Sequence, residues 1–184
     1  MTATPRIAPL EPPFTPALAE MLAKWMPPGS PVTPLALFRT IAHHDVLREK
    51  MRPLGAALLG RGLLPARVRE LLILRTTARN ACAYEWGVHA AAFGALAGLD
   101  RATIDATWIL GRVVATDDAL ILRAADELHD TGTLTDDTYA PLSSRFDAPA
   151  LLELMSVCGF YHLISFIANA ARVPLEPWAL RPPT

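Results

Sequence analysis

Four side chains between positions 70 and 89 could do chemistry together: Glu70, Cys82, Glu85 and His89. In the run RNACAYEWGVH, Cys82, Glu85 and His89 fall at i, i+3 and i+7. That spacing sets a thiol, a carboxyl group and an imidazole on one face of a helix. Glu85 and His89 are one turn apart and could exchange a proton directly or through water. If the helix carrying Glu70 turns back near Asn80, Glu70 approaches the same face. Burial raises a carboxyl pKa, whereas a nearby imidazole favours the carboxylate. Groups coupled in this way suit general acid–base chemistry near neutral pH. The plainer alternative is a buried polar network that only satisfies itself. A Glu-x3-His pair often arises by chance, and a lone buried cysteine usually behaves as a small hydrophobe.

The remaining candidates read mostly as structural. Tyr84 and Trp86 flank Glu85 and either pack the helix or line an apolar pocket with a polar handle. Cys158 and His162 are one turn apart in a strongly apolar segment, which favours packing. His43 and His44 are adjacent, so their side chains diverge on a helix, and no zinc-ligand spacing includes them. No metal or other cofactor is expected. His129 lies near a predicted helix C-terminus, where a cation is favoured by the dipole, and a local role is expected. There is no Gly-rich phosphate loop and no nucleophile elbow. Gly55, Gly60, Gly62 and Gly94 are expected at helix ends and close helix contacts.

The elements that must position the candidates follow from proline breaks and apolar periodicity. Short helices are predicted over 17–25 and from Thr33-Pro34 to about His43, with Thr33 as cap and Pro34 as first helical residue. Residues 45–60 continue as helix, with Pro53 a kink or break. Pro65 opens PARVRELLILRTTARN, where Val68, Leu71, Leu72 and Leu74 form a broad apolar stripe. A second helix over 81–97 carries Cys82, Glu85 and His89. Asp100 caps a helix to about Trp108. Further helices are predicted over 117–130, 136–146 (capped by Thr135) and 149–171. There is no sustained period-2 alternation and no Asn-Gly or Asp-Gly hairpin turn. The fold class is therefore all-α, a multi-helix domain built around an antiparallel helix hairpin. Prolines crowd both ends, so residues 1–16 read as an N-terminal arm, 17–172 as the helical domain and 173–184 as a tail. Such arms are either loose or wrap a neighbouring subunit.

Composition narrows the function classes. Of 184 residues, 52% are hydrophobic and 19% charged. A compact monomer with so little charge would expose much apolar surface, so a homo-oligomer (dimer, trimer or hexamer) is expected. The net charge is −1, without the basic footprint of a nucleic-acid binder. Two cysteines cannot form a disulfide framework, and a reduced, cytoplasmic setting is the simpler reading. The N-terminus shows no secretory pattern. No uninterrupted apolar stretch reaches the ~20 residues of a membrane helix, so a small-molecule substrate and no membrane partner are expected.

The wider pattern R-x-N-A-x-x-Y-E-W-x-x-H, from Arg79 to His89, resembles a subfamily of the carboxymuconolactone decarboxylase / alkylhydroperoxidase D-like family. RELLILR before it matches the helix leading into that signature. LLELMSVCGFYHLISFIANAARVPLEP resembles the closing helix and tail, so the likeness spans roughly residues 35–178. Alkylhydroperoxidase D-like members carry C-x-x-C-x-x-x-H with a Glu twelve residues before the first Cys. The resemblance places Glu70 at that Glu, Cys82 at the first Cys and His89 at the His, but Glu85 at the second Cys. A carboxylate cannot close the intramolecular disulfide of a dithiol cycle. Cys158 could resolve Cys82 only if their Cα atoms lie within ~7 Å. A one-Cys mechanism with an external thiol stays open.

The family's decarboxylases act on a carboxylated lactone without metal or organic cofactor. The resemblance thus implies metal-free acid–base chemistry, with Glu85 or His89 donating the proton and Glu70 tuning its partner. Arg75 or Arg79 would hold a substrate carboxylate. Two alternatives remain: a peroxidase-like redox protein using Cys82, and a non-catalytic helical binding or assembly protein.

Overall fold

The structure is a computed structural model in which residues 4–26, 33–112 and 114–184 are described. Among these residues there are nine helices and no strand. They are α1 (Pro16–Ala23), α2 (Ala36–Ile41), α3 (Asp45–Gly60), α4 (Ala66–Arg79), α5 (Ala83–Ala92), α6 (Arg101–Trp108), α7 (Thr116–Thr131), α8 (Asp136–Ser143) and α9 (Ala148–Ala171). The all-α expectation holds.

Helix α4 is the axle of the fold. Every residue from Glu70 to Thr77 is buried, because α5, α6, α7 and α9 all pack against it. Its core side chains Leu71, Leu72, Ile73 and Leu74 are fully enclosed. A helix that is apolar around most of its circumference must lie inside the protein. The polar residues it does bury therefore need partners.

Arginines supply many of them. Arg67 grips Asp118 through two bonds of 3.0 and 2.7 Å. Arg75 grips Asp126 at 2.7 and 2.8 Å. Arg79 reaches Asp130. Each pair is separated by 51 residues, and a constant offset means that α4 and α7 run parallel in register. Leu71 and Leu122 fill the intervening step at the same offset, both in the core. Three Arg–Asp rungs thus zip two helices along one seam.

Helix α9 has 24 residues, and its only charged carboxylate or cation is Glu153. It is long and apolar enough to cross a membrane, with a mean hydropathy of 1.7, which corrects the expectation that no stretch qualifies. In the fold its apolar character serves the core instead, against α4, α5, α7, α8 and α3. Glu153 is turned onto the N–H groups of Leu63 and Leu64, at 2.7 and 3.1 Å, where it steers the chain into α4.

Local signals explain most boundaries. Asp100 accepts from the Thr103 N–H at 2.8 Å and starts α6. Asp147 does the same for α9, and Gly132 ends α7 in the left-handed region that glycine tolerates. Pro53 sits inside α3 without ending it. Two expected caps differ. Thr33 does not cap α2, which starts at Ala36. The Ala36 N–H instead donates to Glu176 at 2.7 Å, from the far end of the chain. Thr135 directs its hydroxyl at Glu127 rather than at the α8 backbone.

Both proline-rich ends are bonded to the helical body. The N–H groups of Arg6 and Ile7 donate to the Ala171 carbonyl at the end of α9. The Arg39 guanidinium donates to the Leu10 carbonyl at 2.9 Å, and His43 Nε2 meets the Ala8 carbonyl. In the tail, the Leu180 N–H donates to the Gly87 carbonyl at 3.1 Å. A Cβ at Gly87 would stand 2.3 Å from the Leu180 carbonyl oxygen, so only glycine lets the tail lie on α5.

Candidate active site

The turn between α4 and α5 sets the site. Asn80 folds its side chain back onto the Thr76 carbonyl at 2.7 Å, and Ala81 takes a positive φ of 49°. The Cys82 N–H then closes onto the Thr77 carbonyl at 2.8 Å. The reversal brings α5 against α4 and places His89 beside Glu70.

His89 Nδ1 lies 2.7 Å from Glu70 Oε2. Both side chains are almost wholly enclosed, Glu70 at 0% exposure and His89 at 3%. Glu70 Oε1 also accepts from Arg69 Nε at 3.1 Å. On the other side of the ring, Nε2 lies 3.1 Å from the Tyr161 hydroxyl and 3.5 Å from Glu85 Oε1. The Phe93 ring packs 4.9 Å from the imidazole, and Tyr161 meets it edge-on at 5.0 Å. Glu85 Oε2 is buried with no hydrogen-bond partner among the described residues.

The electrostatics follow. Burial opposes a charged imidazole and is the largest single influence on His89. The Glu70 and Glu85 carboxyl groups outweigh it together and raise the His89 pKa to about 9. Burial likewise opposes the Glu70 carboxylate, but His89 and Arg69 overcome it and lower its pKa. The pair therefore exists as imidazolium and carboxylate at neutral pH. With both ring nitrogens protonated, Nδ1–H donates to Glu70 and Nε2–H faces Tyr161 and Glu85.

Cys82 lies at the start of α5, among apolar neighbours and within electrostatic reach of Glu85. It is the residue before the first turn of α5, with φ −89° and ψ 82°, so it does not continue the helical face of Glu85 and His89. Its side chain is fully buried in a cluster with Leu37, Tyr84, Val88 and Ile164. Burial drives the thiol pKa up to about 11, and the nearby Glu85 carboxyl group adds to it, against the smaller pull of nearby N–H groups and Ser165. Cys158 is also buried and free, with its thiol at about 11 for the same first reason. It sits in the larger core around α4.

The other expected site residues are committed elsewhere. Arg75 gives its fork to Asp126 and a further donor to the Thr107 carbonyl at 3.1 Å. Arg79 is held by Asp126 and Asp130. Neither guanidinium bonds to the Glu70–His89 pair, so the expected carboxylate clamp finds no support in this geometry. Tyr84 donates to Glu176 at 2.7 Å and accepts from the Leu37 N–H at 3.1 Å. Trp86 is fully enclosed, donates to Thr107 at 2.9 Å and stacks edge-on to Trp108. These two aromatic residues tie α5 to α2, the tail and α6. Among the described residues, no three His, Cys, Asp or Glu side chains converge in a way that could hold a metal ion.

Sequence reasoning missed Tyr161 and Arg69. Arg69 was legible as a neighbour of Glu70. Tyr161 lies 72 residues from His89, and nothing local marks it. His129, expected to act locally, instead meets His162 across the α7–α9 contact at 3.2 Å.

Fold and site together define a class: an all-helical domain whose two central helices bury a charged histidine between carboxyl groups. Residues 47–127 match the model of the carboxymuconolactone decarboxylase family. A crystal structure of an uncharacterised peroxidase-related protein from Silicibacter sp. superposes with a TM-score of 0.69 at 17% identity. The match covers 79% of this chain and 78% of that one; at this identity it speaks for the fold. Comparison with curated proteins returned no match.

Proposed function

We propose that the chain is a cofactor-independent acid–base enzyme acting on a small molecule, with His89 as proton donor. The observation that carries this reading is the enclosed His89–Glu70 contact of 2.7 Å. It keeps a proton on Nε2 at neutral pH, aimed toward Glu85 and Tyr161. In a decarboxylation, the carbon–carboxylate bond breaks and carbon dioxide leaves. The electron pair left on carbon then takes the Nε2 proton. Glu70 holds Nδ1 throughout and stabilises the charged ring before transfer. Glu85 Oε2, with no hydrogen-bond partner among the described residues, is placed to accept a hydrogen bond from substrate, and a proton from water restores His89 after transfer. Loss of the expected arginine clamp leaves Arg69 as the cation bonded to this cluster.

A depletion assay tests the reading, first on a carboxylated muconolactone and then on a metabolite extract. Wild-type protein should consume one component, and His89→Gln and Glu85→Gln should each lose at least ~100-fold in rate. Full turnover by His89→Gln would end it.

A peroxidase-like reading is kept alive by the Silicibacter neighbour's description and by Cys82. A thiol at about 11 is almost entirely protonated at neutral pH, and the thiolate is the nucleophile. Cys82 is therefore expected to stay unmodified in hydrogen peroxide under native conditions. Rapid sulfenate formation, read by mass spectrometry, would favour the redox reading instead.

A further inference from the structure

His129 in the last turn of α7 and His162 midway along α9 form a second titratable cluster, apart from the acid–base site. His129 Nδ1 and His162 Nε2 stand 3.2 Å apart, with the rings nearly perpendicular at 80°. Neither imidazole is within ion-pair reach of a carboxylate among the described residues. The nearby acids on α7 are spent: Asp126 on Arg75, Asp130 on Arg79 and Glu127 on Thr135 and Thr138. The Phe166 ring flanks His162 at 5.9 Å. Both histidines are half-buried, so bulk water reaches the pair.

We propose that His129 Nδ1 and His162 Nε2 form a two-ligand surface site for a borderline divalent transition-metal cation, such as Zn²⁺, Ni²⁺ or Cu²⁺. The spacing is the first argument. A tetrahedral ion with nitrogen ligands at about 2.0–2.1 Å holds two of them roughly 3.3–3.4 Å apart. The pair needs to open by only about a tenth or two of an ångström. Preorganisation is the second. The ligands sit on two long helices packed on the same core, so binding orders little that is loose. Ligand chemistry is the third. Imidazole nitrogens with no anion beside them favour nitrogen-seeking ions and reject Mg²⁺ and Ca²⁺, which want oxygen. Burial and the neighbouring ring also lower the His162 pKa, so protons compete weakly for its lone pair. In the metal-free pair one ring donates its N–H to the other. The ion takes over both lone pairs, and the displaced proton either moves to the other nitrogen of its ring or leaves. Waters complete the coordination.

Isothermal titration of the intact chain with ZnCl₂ and NiCl₂ near pH 7.5, with MgCl₂ as control, tests the site. One Zn²⁺ or Ni²⁺ per chain should bind, with Ni²⁺ tighter than Zn²⁺. His129→Ala and His162→Ala should each weaken binding by at least about tenfold, whereas a His43→Ala, His44→Ala double variant should not. His162→Gln, which keeps the side-chain bulk, should behave like His162→Ala. Absence of binding, binding that survives both single substitutions, or equal response to Mg²⁺ overturns the proposal.

Discussion

His89 and Glu70 stabilise each other only while both are charged, and this gives the fold a characteristic pH response. The His89 pKa is raised from 6.5 to about 9. Its contribution is full below the unfolded value, near 6.5, and is lost as pH rises through about 9. The Glu70 pKa is lowered from 4.5. Its contribution is full above 4.5 and is lost as pH falls through the folded value. Denaturant midpoints should therefore fall from pH 6.5 to 9.5 in the wild type, and much less steeply in a Glu70→Gln, His89→Gln double variant. Equal slopes would show that the pair does not titrate as described. Glu70, Glu85 and His89 were legible from residue type and spacing because a helix hairpin joins them locally. Cys82 shared the spacing but not the face, since the helix begins one residue after it. Tyr161 was invisible because its approach to His89 is a tertiary event.

At the scale of elements, the sequence announced its helices through prolines, caps and apolar stripes, and those signals find all nine, although α5 ends at Ala92, five residues short of the expected 97. Helix α2 is the exception in kind: its start is fixed by Glu176, and no local motif reports that. The Arg67, Arg75, Arg79 ladder and its Asp118, Asp126, Asp130 partners do carry a signal, acids and bases repeating every fourth or eighth residue at one offset. Reading it requires knowing that α4 and α7 lie side by side. Without that neighbour, Arg75 and Arg79 looked free to hold substrate. The tail's contact with α5 yields a sharp expectation. Gly87→Ala should destabilise the protein by about 1–3 kcal/mol, because the tail must lift off or the backbone must shift. A truncation before Ala179 should remove most of that penalty. A neutral Gly87→Ala substitution would show that the tail does not dock there.

At the scale of the whole molecule, the surface matches what the composition foretold. Leu152, Leu163 and Phe166 on α9 and Leu54 on α3 are exposed, Leu152 at 66% and Phe166 at 59%. With Glu153 turned inward, the outer face of α9 has no charge to desolvate. That face is the reason to expect a homo-oligomer. Light scattering on a sizing column should find a multimer that Leu152→Glu, Leu163→Glu dissociates; a wild-type monomer at tens of micromolar, roughly the range of a weak self-contact, would refute it.

The claim on which the rest depends is that α4 and α5 enclose a histidine that stays protonated in neutral solution. Nitrogen-15 NMR of the His89 imidazole across a pH titration measures this directly. The expected result is a midpoint near 9 that drops toward 6.5 in Glu70→Gln. A wild-type midpoint at or below 6.5, or one that Glu70→Gln leaves unmoved, would contradict it.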